Sequence, residues 1–130
     1  MPGAYNRRPT RHETHLMLKL YGLSNCDRCR RARRRLEASG RDVEMIDLRR
    51  LAEQGGLEKT LQHFLGFVDW STLLNRRSTT WRGLDDAERL DLDQPRAVEL
   101  LRTHPSLIQR PVLDTGTEVL VGKAVDDWPA

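Results

Sequence analysis

The stretch YGLSNCDRCRRARRRL, Tyr21–Leu36, holds both cysteines of the chain, spaced C-x-x-C, and runs from them into a dense series of arginines. Upstream, MLKLYGL (17–23) alternates Leu18 and Leu20 with Lys19 and Tyr21, the period of a strand. Ser24 and Asn25 follow as helix-capping residue types. Cys29, Ala32 and Leu36 then recur at i, i+3 and i+7, one face of a helix, while arginines 28, 30, 31, 33, 34 and 35 fill the other faces. Gly40 suits the residue just past the helix end. DVEMIDL (42–48) has apolar residues at Val43 and Met45, with Ile46 and Leu48 beyond, and reads as a second strand. Strand, helix and strand within about 30 residues make a βαβ unit, whose strands run parallel.

Working outward, the middle of the chain is helical. Leu57, Leu61, Phe64 and Leu65 fall on one helical face, Asp69 can cap a short helix carrying Trp70, Leu73 and Leu74, and STTWRGL (78–84) begins another short turn. In DQPRAVELLR, Asp93 or Gln94 is the cap, Pro95 takes the first helical position, and His104-Pro105 ends the segment. PVLDTGTEVLVG (111–122) places two apolar runs around a turn in which Asp114 serves, a β-hairpin pattern. Only the stub AVDDWPA remains. The order predicts an α/β, thioredoxin-like fold: a mixed four-stranded sheet with a helical insertion between the βαβ unit and the C-terminal ββ hairpin. Trp70, Trp81 and Trp128 read as packing residues rather than ligand-stacking ones.

Residues 1–16 show no apolar period and read as a disordered leader before a domain of residues 17–130, with translation starting at Met1 or Met17. At 130 residues, 38% hydrophobic and 32% charged, the chain suits one domain with a small core. It has no apolar run long enough to span a membrane and no secretory signal pattern. Two close cysteines without an export signal point to the reducing cytoplasm rather than a disulfide framework. The net charge of +3 is uneven: residues 1–50 carry 13 Lys and Arg against 6 Asp and Glu, and residues 51–130 carry 9 against 13. A basic half can attract an anionic small molecule, an acidic protein or nucleic acid, or simply keep the helix solvated.

Three uses of the cysteines compete. A thiolate is the reactive species, and a helix start can lower a thiol pKa from about 8.5 into the range 3.5–7.5. Cys26, following the capping pair, sits where unpaired helix N–H groups converge. Cys29, one turn on, can close a disulfide with it. A zinc site needs four ligands, but there is one C-x-x-C, His63 and His104 stand isolated, and His12 and His15 lie in the leader. Cys29 also fits a plain core position on the apolar stripe.

YGLSNCDRCRRARRRLE, LLNRRSTTWRGL and LIQRPVLDTG, in this order, resemble the ArsC/Spx/YffB family of arsenate-reductase-like proteins over roughly residues 17–128. The NC pair, LLN-x-R-x-TTWR and RPVLD are most similar to its YffB-like branch. The resemblance implies that Cys26 is the nucleophile and that Arg110 holds an oxyanion beside it. It makes Pro111 the cis-proline that begins the third strand. It offers Arg77 as a second basic contact and Lys123 where arsenate reductases carry a further arginine, a change that keeps charge but loses the planar fork. Asn25, beside Cys26, joins them as a candidate substrate contact. The chain departs from arsenate reductases in carrying Asp27-Arg28-Cys29-Arg30 where they have a Gly-Thr-Ser-Arg type sequence, and its final helix is short or missing. The C-x-x-C is instead the Spx arrangement. The implied activity is thiol-dependent reduction with no bound cofactor, glutathione or a glutaredoxin- or thioredoxin-like protein supplying electrons and Cys29 resolving. Arg28 and Arg31 are placed to approach an anion such as glutathione. The alternative is an Spx-like regulator that binds RNA polymerase. Neither reading calls for a membrane or direct nucleic-acid contact.

Overall fold

The computed structural model describes residues 17–129; the expected leader, residues 1–16, lies outside them. Strand β1 is Leu18–Gly22, helix α1 Asp27–Ala38 and strand β2 Val43–Asp47. The helical insertion follows as α2 (Leu48–Glu53), α3 (Leu57–Leu65), α4 (Trp70–Leu73), α5 (Thr79–Gly83), α6 (Asp86–Arg89) and α7 (Gln94–Thr103). A 3-10 turn at Pro105–Leu107 leads to β3 (Val112–Asp114), β4 (Val119–Val121) and a one-turn α8 (Lys123–Asp127). No helix among the described residues is long and apolar enough to cross a membrane.

The sheet order is β2-β1-β3-β4. β1 runs parallel to β2, Leu18 opposite Val43, and antiparallel to β3, with Tyr21 opposite Val112 and Lys19 opposite Asp114. β3 and β4 form the hairpin. Alternate residues of each strand face opposite sides, so the sheet divides two cores. Leu18, Leu20 and Leu113 pack with Ala32 and Leu36 of α1 and Val125 of α8. Tyr21, Val112, Val119 and Val121 face the insertion, where they join Leu48, Leu57, Leu61, Phe64, Val98 and Leu101. The tryptophans pack where expected, at core margins: Trp70 and Trp81 against the insertion core, Trp128 against the other.

Two capping expectations are corrected. Ser24 and Asn25 form the turn before α1 but do not cap it; Cys26 is itself the N-cap, in extended backbone, its Sγ accepting the Cys29 N–H. A sulfur is a weak acceptor, which is why residue type pointed to its neighbours. In α7, Asp93 caps and Gln94 is the first helical residue, leaving Pro95 second. Neither α2 nor α6 is expected from the sequence. α2 has no turn before it, since Asp47 both ends β2 and caps the helix with its carboxylate. α6 carries an Asp85–Glu88 capping box, a D-x-x-E signal readable beforehand.

Candidate active site

The site forms where β1 ends and α1 begins. Gly22 is the last residue of β1, and a Cβ built on it would lie 2.6 Å from Cys29 Sγ. A bare backbone there lets α1 close onto the strand with Cys29 fully buried against it. Cys26, half-buried, stands at the helix mouth. Both cysteines are free thiols. The Cys29 N–H donates to Cys26 Sγ at 3.3 Å, and the Cys29 thiol donates to the same sulfur at 2.7 Å.

The pKa values of the two thiols shift in opposite directions. Burial alone would raise the Cys26 pKa, but the Cys29 thiol and N–H donate to its thiolate and Arg110 adds a hydrogen bond and a positive charge, so the net shift is downward. Cys29 is pushed up to about 12, first by burial and then by its bond to Cys26 and the Cys26 charge. Cys26 is therefore the readier of the two to ionise, and Cys29 keeps its proton and donates it toward the Cys26 sulfur.

Arg110 arrives from the other half of the molecule. The peptide bond between Arg110 and Pro111 is cis, as the resemblance implies. Continuing the antiparallel register past Tyr21 and Val112 sets Pro111 against Gly22, at the same end of the sheet as the cysteines. The Pro111 carbonyl accepts from the Gly122 N–H at 2.8 Å. Arg110 Nη1 donates to the Ser106 carbonyl at 3.2 Å, and its buried Nε has no hydrogen-bond partner. The segment carrying it is clamped by the insertion. Asn75 N donates to Leu107 O and Gln109 N to Leu73 O, both at 2.7 Å, around a Leu74–Ile108 bridge. Ser106 Oγ bonds Thr80 Oγ1 at 2.7 Å, tying the TTWR piece to the same turn.

The remaining candidates lie further out. Asn25 is exposed in the turn before Cys26. Arg77 is exposed, its backbone N–H capped by Asn75 Oδ1. Lys123 is exposed on α8, its ammonium 3.6 Å from Asp127. The charge acting on the Cys26 thiol is that of Arg110. His63 is not isolated, as the sequence suggests: its Nε2 lies 2.7 Å from Asp114 Oδ2, a contact 51 residues apart that periodicity cannot reveal. Asp114 does serve the hairpin, its Oδ1 accepting from Gly116 N at 2.8 Å. Among the described residues no group of three or more His, Cys, Asp or Glu side chains could hold a metal.

The sequence model of the ArsC family matches residues 21–130. The chain belongs to the ArsC family. An uncharacterized protein of Haemophilus influenzae is 33% identical over 110 residues, 82% of this ArsC-family chain and 90% of that one. Among solved structures, the YffB protein is 36% identical with a TM-score of 0.75, covering 85% of this chain and 95% of its own. An arsenate-reductase-related protein from Brucella melitensis is 37% identical with a TM-score of 0.67, over 82% and 87% of the two chains. These likenesses agree with the YffB-like branch and the thioredoxin-like fold. The arsenate reductase of Vibrio cholerae, 18% identical with a TM-score of 0.67 over 88% and 96%, shares the fold.

Proposed function

We propose that this ArsC-family protein is a thiol-dependent reductase in which Cys26 attacks and Cys29 resolves. The observation that carries the reading is the pair of sulfurs 2.7 Å apart with oppositely shifted pKa values. Membership of a family with arsenate-reductase relatives supports it. With a mixed disulfide, the Cys26 thiolate attacks one sulfur, a Cys26–substrate disulfide forms, and the displaced thiolate takes a proton from solvent. The charge on Cys26 is then gone, and with it the effect of that charge and hydrogen bond in raising the Cys29 pKa. Cys29 loses its proton to solvent and attacks Cys26, and the second substrate thiol leaves. Two protein thiols have become one disulfide, and two electrons have passed to the substrate. With arsenate, the thiolate would displace an arsenic-bound hydroxyl as water. Attack of Cys29 on the Cys26 sulfur would then expel arsenic as arsenite. Two glutathione molecules, or one glutaredoxin- or thioredoxin-like dithiol, would restore the pair in a reducing cytoplasm. Arg110 would hold the anionic part of the substrate, a planar guanidinium offering two parallel donors.

Thiol-dependent reduction of arsenate and of a glutathione mixed disulfide tests this in wild type, Cys26→Ser, Cys29→Ser and Arg110→Lys. Cys26→Ser should abolish turnover. Arg110→Lys should lower kcat/KM by about 10–100 fold, the loss of one or two charge-assisted bonds at 1.36 kcal/mol per decade. Turnover surviving Cys26→Ser would sink the assignment. No turnover by wild type, with tight binding to RNA polymerase, would hand the protein to the Spx-like regulator reading.

A further inference from the structure

On the flank of α1 turned toward α8 lies a cleft of about 260 Å³ lined by Arg28, Arg31, Ala32, Arg35 and Asp126. Arg28 and Arg35 share one side of α1 at i and i+7, with Arg31 between them, so three guanidiniums line one wall. Two are held by α8: Arg28 Nη2 lies 2.9 Å from Asp126 Oδ2, and Arg35 Nη2 donates to the Val125 carbonyl at 2.6 Å. Arg31 Nε lies 3.3 Å from Asp27 Oδ2, a contact in which both side chains are mostly exposed. A guanidinium has five N–H donors, so each arginine keeps donors for another acceptor. The lining side chains carry three positive charges and one negative. The wall begins two residues after Cys26, within the first turn of the same helix. A packing role would need neither three arginines nor an open cleft, and a merely solvated face would not have two of them anchored across to a second helix.

We propose that this cleft binds the carboxylates of the thiol that re-reduces Cys26 and Cys29, which makes it an electron-donor site distinct from the Arg110 substrate site. The proposal rests on the reductase reading for its place in the reaction, but not for the binding itself. Anchoring matters physically. Two arginines already fixed at one edge lose little side-chain freedom when an anion reaches the other edge. The chemistry fits glutathione, whose two carboxylates flank its thiol, and equally an acidic patch beside the thiol of a dithiol protein. In either case the donor's sulfur would approach the Cys26–Cys29 disulfide from the α1–α8 side and attack it. The donor would join Cys26 as a mixed disulfide, Cys29 would leave as a thiolate and take a proton, and a second donor thiol would complete the reduction.

The test separates binding from turnover. S-methylglutathione has the carboxylates but no free thiol. Titrated into the reduced protein and followed by amide NMR, it should give saturable shifts at Arg28, Arg31, Ala32 and Arg35. Its affinity should weaken about tenfold in Arg31→Glu, the loss of roughly one charge-assisted contact, and weaken further as salt is raised. Arg31 makes only an exposed ion pair, so the variant should fold. A Lys59→Glu control on α3 should bind like wild type. In turnover, Arg31→Glu should raise the KM for glutathione about tenfold with kcat kept, and should match wild type when uncharged 2-mercaptoethanol is the donor. A glutaredoxin supplied as donor forms the second arm. If S-methylglutathione does not bind but glutaredoxin-driven turnover falls about tenfold in Arg31→Glu, the carboxylates come from a protein. Shifts confined to other residues, together with unchanged glutaredoxin kinetics, would overturn the proposal. Binding in the cleft without turnover with any thiol would overturn the reductase reading and leave the anion site standing.

Discussion

Cys26 and Cys29 are the same residue type one helical turn apart, and what separates them is the direction in which each sulfur finds its donors. Cys26 receives the Cys29 N–H, the Cys29 thiol and the Arg110 charge, and its pKa falls despite burial. Cys29 lies against Gly22, where no water reaches, and is pushed up to about 12. Iodoacetamide should therefore label Cys26 first in the native protein, with a rate that rises through a midpoint below 9, while Cys29 stays unlabelled at pH 10. Mass spectrometry of the labelled peptide reads both; earlier labelling of Cys29 would refute the order. The shift also has a sign for stability. A raised native pKa favours the protonated fold, so the Cys29 contribution is fully present below the unfolded value of 9 and is lost as pH climbs toward 12. Tyr21, also raised by burial and by Asp114, acts in the same direction above 10. The C-x-x-C spacing and the helix start were legible in the chain because both are local. That Cys26 is its own cap was not, since sulfur ranks poorly as a cap and only the turn geometry selects it.

At the scale of elements, the insertion acts as a clamp on the strand that carries Arg110. Asn75 turns the chain through its Oδ1 and hands Ser78 to cap α5, which presents Thr80 to Ser106. Ser106 in turn offers its carbonyl to Arg110. Thr80 touches no reacting atom and is a positioning residue. Thr80→Val keeps the shape and removes one hydroxyl, so it should lower kcat/KM up to about tenfold, the worth of one hydrogen bond at about 0.5–1.5 kcal/mol. It should also raise the pH midpoint of Cys26 alkylation, because the Arg110 charge is held less firmly near the sulfur. A loss of melting temperature with an unmoved midpoint would make Thr80 merely structural. Thr80→Ser should restore the wild-type midpoint. The LLNRRSTTWR stretch was visible as a pattern, but the pairing of Thr80 with Ser106 spans 26 residues and belongs to tertiary structure. Conversely, the βαβ unit, α3, α4, α7 and the hairpin were readable, because each is a run of apolar residues at one period closed by a cap or a turn.

Over the whole molecule, the candidate site is assembled from segments far apart in the chain that the sheet brings together. Helix α1 packs Ala32 and Leu36 with Leu20 and Leu113, while Cys26 at its start packs against the insertion core of Leu61, Phe64, Leu101 and Val112, the same half whose Ser106 carbonyl holds Arg110. β1 and β3 supply alternate side chains to both, so neither core can be lost without exposing the back of the other. The two should therefore unfold together. Leu36→Ala and Leu61→Ala, each removing a side chain with no solvent exposure, should cost about 2–5 kcal/mol. For a domain of this size that is a drop of roughly 8–20 °C in melting temperature. The tryptophans report on the halves separately: Trp128 packs on the α1 core, Trp70 and Trp81 on the insertion core. In variants that keep Trp128 alone or Trp81 alone, fluorescence melts should share one midpoint, and each leucine substitution should shift both midpoints equally. If Leu61→Ala instead released the Trp81 signal at a lower temperature than the Trp128 signal, the insertion would be an independent unit. Arg110 would then leave Cys26 before the sheet came apart, and the Cys26 pKa would rise by the loss of the Arg110 bond and charge while α1 was still folded and the Cys29 donors remained.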